Sequence, residues 1–164
     1  MRNVFLSYQI FDFIAIFCPF YPTPQKIVAQ KPKTISSKEE FEVIKTHCMQ
    51  GANMLRRLEN FEDEPLLQTA YDIARWHHER WDGRGYPDGL KGNDIPISAQ
   101  IVSLADVYDA LTSERCYKEA FSHETAMRMI LNGECGAFNP LLLECLTDIQ
   151  AELQEKSKNT AVSR

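Results

Sequence analysis

The sequence has little of what marks several large classes of protein. Its 18 Lys and Arg residues stand against 23 Asp and Glu, for a net charge of −5, so it has no basic surplus of the kind that binds DNA. The five cysteines are an odd number without C-x-x-C spacing, which argues against a zinc ribbon and a disulfide framework. No segment alternates apolar and polar residues as a strand would. These absences predict a helical, cytoplasmic protein with reduced thiols and no DNA partner.

Only one long apolar run is present, over residues 4–21, and it is interrupted by Asp12 and closed by Pro19. A spanning helix needs about 20 predominantly apolar residues, and a charged residue inside the bilayer is costly. A signal peptide would need a small-residue cleavage site, and none follows. We therefore expect residues 1–23 to be an atypical aromatic segment, buried or poorly ordered, with a membrane span as the less favoured alternative.

The 164 residues suit one domain, and beyond the N-terminal segment the pattern is helical. Ser37 and Glu40 form a capping box that starts a first helix. Its apolar residues recur every three or four positions: Phe41, Ile44, Cys48, Gly51, Leu55 and Leu58. A second helix is predicted to open at Asp63-Glu64-Pro65. Its expected inner face consists of Leu66, Ala70, Ile73, Ala74, His77 and Trp81.

Three further helices are predicted. The third covers Ile97 to Thr112 and is apolar all round, which predicts a fully buried helix. Ser122 caps a fourth helix that ends near Gly133, and Pro140 starts a fifth that runs to about residue 155. Residues 156–164 form a polar tail, expected to be disordered. Between the second and third helices, residues 82–96 hold four of the seven glycines and two prolines, so this stretch is predicted to be a loop.

Four side chains of metal-ligand type fall on predicted inward faces of three successive helices: His47, His77, His78 and Asp106. Neutral imidazole and carboxylate are ligands of borderline divalent metals. Neighbours on a helix point about 100° apart, so adjacent histidines suit two different ions of a multinuclear centre. Paired metals of this kind suit phosphoester hydrolysis.

Plainer interpretations of the same residues stay open. A single inward histidine such as His47 is more often a hydrogen-bonded core residue than a ligand. Asp109 could be the buried acid, paired with Arg115, while Asp106 only serves a helix end. His123, directly after a helix cap, is most simply a surface residue.

Several motifs in one order resemble the HD-GYP family, the bacterial metal-dependent phosphodiesterases of the HD superfamily. They are the HHE-x-x-DG-x-GYP run at residues 77–87, A-D-V-x-D-A-L at 105–111, R-x-Y-K at 115–118 and GAFNP at 136–140. The resemblance covers about residues 24–146. It implies an all-α fold, part of an HD-type helical bundle with a Gly/Pro-rich GYP loop.

The resemblance also implies a metal centre. His47, His77, His78 and Asp106 match metal ligands of the family. The implied cofactors are divalent ions, with iron or manganese expected.

Substrate and partner residues are implied in the same way. Arg115 and Lys118 match residues that hold substrate phosphate, in a family whose usual substrate is cyclic di-GMP. Gly85, Tyr86 and Pro87 are the GYP motif, which is tied in the family to contact with diguanylate cyclases (GGDEF proteins).

Two departures from the family pattern bear on activity. Cys116 replaces the proline of R-P-Y-K. An H-D-x-G-K motif is expected just before residues 24–33, where residues 16–24 read IFCPFYPTP. We therefore expect residues 24–155 to be a truncated HD-GYP domain, its N-terminal half replaced through an altered start or a frameshift.

Three functions follow from these departures. The chain is expected to be of phosphodiesterase lineage with impaired or absent catalysis, and no residue is assigned as catalytic. The alternative is a catalytically dead module that binds a ligand or another signalling protein. The third is a truncated product without an independent role.

Overall fold

The computed structural model describes residues 38–58, 63–113 and 119–162. Within these ranges the chain forms helices and no strand, which confirms the all-α prediction. The helices are α1 (Lys38–Arg56), α2 (Pro65–Trp76), α3 (Ile97–Thr112), α4 (His123–Leu131) and α5 (Pro140–Val162). A short 3-10 helix, Gly92–Asp94, lies in the loop between α2 and α3.

The helix starts follow from local chemistry. Pro65 is the first residue of α2, where its missing N–H costs no hydrogen bond. The Ser122 side chain accepts a hydrogen bond from the Thr125 amide and so caps α4. α5 begins at Pro140, as predicted. The capping box of the first helix lies outside what the structure describes.

The core lies where successive helices pack. α1 packs against α2, α2 against α3, and α3 against α4. One apolar cluster joins α3, α4, α5 and the segment before α5. Its buried members are Leu104, Leu111, Ala126, Met127, Ile130, Phe138 and Leu146.

The prediction that α3 is buried all round is wrong. Ile97 and Ile101 are 56% and 52% exposed, although the opposite side of the helix is buried. Three residues assigned to inner faces of the first two helices, Phe41, Leu58 and Leu66, are exposed as well. An apolar pattern shows which side of a helix could be buried, but coverage depends on how many neighbours reach it.

The predicted disorder of the tail is also contradicted for residues 156–162, since the α5 backbone is helical through Val162. Residues 150–162 contain Ala, Leu, Gln, Glu and Lys, all strong helix formers. The predictions for residues 1–23 lie outside the described residues. Among the helices that are described, none combines the length and the apolar character that crossing a membrane requires.

Candidate metal centre

Three histidines converge at the contact between α1 and the end of α2. His47 lies in α1, His77 is the C-terminal cap of α2, and His78 follows in the next turn. The ring centroid of His47 lies 5.3 Å from that of His77 and 5.0 Å from that of His78, and the centroids of His77 and His78 are 4.1 Å apart. The structure therefore brings together three of the four predicted metal ligands.

Backbone hydrogen bonds orient two of these rings. His47 Nδ1 lies 2.6 Å from the Ile44 carbonyl oxygen, and His77 Nδ1 lies 2.8 Å from that of Ile73. A carbonyl oxygen can only accept, so each Nδ1 carries the hydrogen and donates it. In the neutral rings, each Nε2 then presents a lone pair.

These two lone pairs face each other, because His47 Nε2 and His77 Nε2 are only 3.3 Å apart. A proton or a cation between them would relieve the repulsion. Burial lowers the pKa of His77 to about 4 and that of His78 to about 2. A proton on either of these two rings is therefore disfavoured at neutral pH, and a metal ion fits this donor set. Metal-binding histidines commonly donate their other ring N–H to a carbonyl in this way.

Cys48 is a fourth ligand-type residue at this centre, and sequence reasoning assigned it only to an apolar stripe. Its side chain is fully buried, and its Sγ lies 3.5 Å from His47 Nε2. One ligand atom each from His47, Cys48, His77 and His78 all lie within 4.8 Å of one another. The sequence shows only that Cys48 follows an inward histidine, and helix neighbours point about 100° apart, so the closeness of the two donor atoms is seen only in the structure.

The predicted acidic residues of α3 lie outside the histidine cluster. Asp106 is half-buried on α3 and is not part of the four-residue group. Its charge acts on Arg80, where it opposes the fall in pKa that burial causes. Asp109 accepts a hydrogen bond from the Ser113 hydroxyl at 2.9 Å. Arg115, and with it the alternative pairing to Asp109, lies outside the described residues.

Some of the remaining predicted residues lie outside the described part of the chain, and others are described by the structure. Lys118 lies outside the described residues, as do Cys18 and Cys116. The three cysteines that the structure does describe form no disulfide with one another. His123 is half-buried and shares a 2.8 Å hydrogen bond with the Tyr108 hydroxyl, so it is less exposed than expected.

The GYP motif lies directly against the histidines. The Tyr86 ring stacks on His78, with centroids 4.8 Å apart, and its amide donates to the His78 carbonyl. Phe41 of α1 meets the same tyrosine edge to face at 6.2 Å. The peptide bond between Tyr86 and Pro87 is cis. Gly85 leaves no room for a side chain, since a Cβ there would lie 2.3 Å from Glu79 Cα.

Glu79 fastens this loop from inside, a role that sequence reasoning missed. It is 2% exposed, and its Oε1 accepts hydrogen bonds from the amides of Asp88 (2.7 Å) and Gly89 (3.0 Å). Its Oε2 is buried without a hydrogen-bond partner among the described residues. Burial raises the pKa of this carboxyl.

Asp88, at the exposed side of the loop, ties the loop to the end of α2 by hydrogen bonds. Its carboxylate accepts two hydrogen bonds from the Arg75 guanidinium, at 2.8 and 3.0 Å, and one from Trp76 Nε1 at 2.7 Å. The hydrogen bond from Arg75 is the main reason that the pKa of Asp88 is lowered. Because Arg75 and Trp76 end α2 just before the histidines, loop and metal centre share one support.

Comparisons with known proteins agree on one family. A family model described as an HD domain matches residues 20–137. A probable cyclic di-GMP phosphodiesterase of Vibrio cholerae is 45% identical over 108 residues, which are 65% of this chain and 24% of that protein.

Two further relatives extend the comparison. A cyclic di-GMP phosphodiesterase of Thermotoga maritima is 39% identical over 132 residues, covering 77% of this chain and 35% of the relative. A 3'3'-cGAMP-specific phosphodiesterase of Vibrio cholerae is 36% identical over 121 residues, covering 74% and 22%. The chain thus spans only about a quarter to a third of the length of these relatives.

Proposed function

The chain belongs to the HD domain family, in its HD-GYP branch, and on this basis we propose that it is a metal-binding cyclic dinucleotide module with impaired hydrolytic activity. Its lineage is that of the HD-GYP phosphohydrolases. The observation that carries the proposal is the pair of Nε2 atoms that face each other at 3.3 Å in a buried site.

The metal would be held by His47, His77 and His78, and Asp106 is proposed as a further ligand on the strength of the resemblance. Of the two metals that the resemblance implies, nitrogen donors favour iron(II), whereas manganese prefers oxygen. A divalent ion in such a site polarises a phosphoryl oxygen and makes a bound water more acidic.

The chain's own residues supply binding and orientation. Arg115 and Lys118 are proposed to hold phosphate, since guanidinium and ammonium groups form charge-assisted hydrogen bonds with phosphate oxygens. Tyr86 stacks on His78 and keeps water from that face of the ring. The relatives' names favour cyclic di-GMP as the ligand, with 3'3'-cGAMP as a second candidate. Both are anionic messengers of the bacterial cytoplasm, where we place this chain.

Impairment is proposed from the ligand count. The 164 residues contain four histidines, and none is followed by aspartate, so the sequence has no His-Asp pair. The fourth histidine, His123, is hydrogen-bonded to Tyr108 rather than placed in the cluster. Fewer ligands mean weaker metal binding and less support for the attacking water.

A second candidate function, binding of another signalling protein, is favoured by the GYP loop. The loop is held from both sides by Glu79 and Asp88, yet Arg84 at its tip has a side chain that is 87% exposed. A fixed loop that presents an exposed charge suits protein recognition, because little conformational freedom is lost on binding. A diguanylate cyclase (GGDEF protein) is the proposed partner.

Metal binding tests the first part of this proposal. We expect the purified chain to retain iron(II) in anaerobic equilibrium dialysis, and His77→Ala to weaken binding by about 100-fold because it removes a ligand. His123→Gln is the matched control and should bind as the wild type does. Equal binding by wild type and His77→Ala would refute the metal centre.

Turnover tests the second part. Hydrolysis of cyclic di-GMP in saturating iron(II) or manganese, followed by chromatography, should be far slower than for the full-length Thermotoga maritima relative. Comparable turnover by the two proteins would refute impairment.

A further inference from the structure

The cysteine beside the first histidine completes a four-donor set. We propose that the Cys48 thiolate, in place of the Asp106 carboxylate, completes the ligand set, so that His47, Cys48, His77 and His78 hold one tetrahedral ion of the zinc class. This inference rests on the metal centre of the proposed function and deepens it by naming a ligand and a metal preference.

The interatomic distances match such a site. Zinc binds nitrogen at about 2.0–2.1 Å and sulfur at about 2.3 Å, so a tetrahedron has edges of about 3.3 Å between nitrogens and about 3.6 Å between nitrogen and sulfur. The two distances available are 3.3 Å for His47 Nε2 to His77 Nε2, and 3.5 Å for His47 Nε2 to Cys48 Sγ. All four donors lie within 4.8 Å of one another, so each remaining edge would have to shorten by at most about 1.5 Å to match a tetrahedral site.

Neighbouring residues come close enough to share one ion. His77 and His78 lie at and just beyond the C-terminal end of α2, and their ring centroids are 4.1 Å apart. His47 and Cys48 are neighbours within α1, yet their donor atoms are 3.5 Å apart. The structure thus supports a single ion, where helical geometry alone predicted two.

Charge gives an independent reason for a thiolate. A divalent ion held only by neutral imidazoles would leave two positive charges in a buried site, which is costly. The four-residue group contains no carboxylate, so Cys48 is the member that can supply a negative charge. When the metal binds, the S–H bond breaks, its proton passes to solvent, and the sulfur electron pair forms the bond to the metal.

A sulfur ligand changes which metal is preferred. Thiolate and imidazole donors favour zinc and cobalt(II), whereas manganese and magnesium prefer oxygen. We therefore expect the 164-residue chain to bind zinc more tightly than manganese, at one ion per chain.

Cobalt(II) is the probe, because its absorption reports its ligands. The wild-type chain, titrated with cobalt(II) alone, should develop the near-ultraviolet charge-transfer band of a thiolate ligand and the strong visible bands of a tetrahedral ion. One equivalent of zinc should abolish both. A cobalt-loaded wild type without the near-ultraviolet band would overturn the inference, and this measurement needs no substitution.

Two variants sharpen the test. Cys48→Ser and Cys48→Ala should lose the near-ultraviolet band and bind cobalt at least about 100-fold more weakly, with circular dichroism confirming that they fold. Cys145→Ser, at an exposed position on α5, should behave as the wild type does. Unchanged affinity in both Cys48 variants would overturn the sulfur ligand. If His77→Ala nevertheless loses binding, the metal centre of the proposed function stands; if the wild type binds no cobalt at all, both fail.

Discussion

Two replacements of Glu79 should distinguish the stabilising effect of the hydrogen bonds that it accepts from the GYP loop from the effect of its buried negative charge. Glu79→Ala removes the acceptor of two backbone amides. Hydrogen bonds to a charged group contribute about 1.5–3 kcal/mol each. Asp88 and Gly89 are exposed residues, so water can replace part of this loss. We therefore expect Glu79→Ala to lower the free energy of unfolding by about 2 kcal/mol.

Glu79→Gln should cost much less. The amide oxygen can accept the same two hydrogen bonds, and the substitution also removes a buried charge, whose cost is visible in the raised pKa of Glu79. Loss of charge assistance and relief from this cost act in opposite directions. The net change is expected to stay within about 1 kcal/mol.

Equilibrium unfolding in urea, followed by tryptophan fluorescence, measures both variants. The chain has two tryptophans, Trp76 and Trp81, and they flank Glu79 in sequence, so the signal reports on this region. Glu144→Ala, an exposed position on α5, is the control and should stay within about 0.5 kcal/mol of wild type. If Glu79→Gln is as destabilised as Glu79→Ala, retention of an acceptor is not what matters and the reasoning is refuted.

Three further substitutions test other parts of the structure. Arg75 lowers the pKa of Asp88 below its ordinary 3.8, so this carboxylate stabilises the fold above pH 3.8 and stabilises it less as pH falls through the lowered pKa. Below pH 4, the free energy of unfolding should therefore fall less steeply with decreasing pH in Asp88→Asn than in the wild type, and equal slopes would contradict this. Gly85→Ala places a Cβ against Glu79 backbone and should cost about 3 kcal/mol in urea unfolding or more; a loss under 1 kcal/mol would show that the loop can shift. Ser122→Ala removes the cap of α4 and should cost about 1 kcal/mol, seen as a lower thermal midpoint than wild type.

The helix starts could be predicted because their signals are local. Pro65, Ser122 and Pro140 act within one turn of themselves, through a missing N–H or a side-chain oxygen. The convergence of the histidines was also predictable, since helical periodicity places His47 on the side of α1 that carries Cys48 and Leu55. The helix starts are thus decided by chemistry within a few residues, and the inward direction of His47 by the periodicity of its own helix.

What could not be predicted depends on distant parts of the chain. The apolar residues Ile97 and Ile101 look like core residues, and only the packing of other elements decides that they stay exposed. Cysteine is both a small apolar residue and a ligand, so periodicity alone cannot tell which role Cys48 has. Glu79 received no role from the sequence, because the amides that it binds lie nine and ten residues further along the chain.

The contact between the GYP loop and the histidines has a thermodynamic consequence. The Tyr86 ring stacks on His78, and the Tyr86 amide donates a hydrogen bond to the His78 carbonyl. A metal ion that fixed the His78 ring would therefore also favour one arrangement of the loop. Coupling free energies are reciprocal. If the metal raises the affinity of the chain for a protein that binds this arrangement of the loop, that protein must raise the affinity of the chain for the metal by the same factor. Such a partner would sense whether the site is metallated without touching the ion.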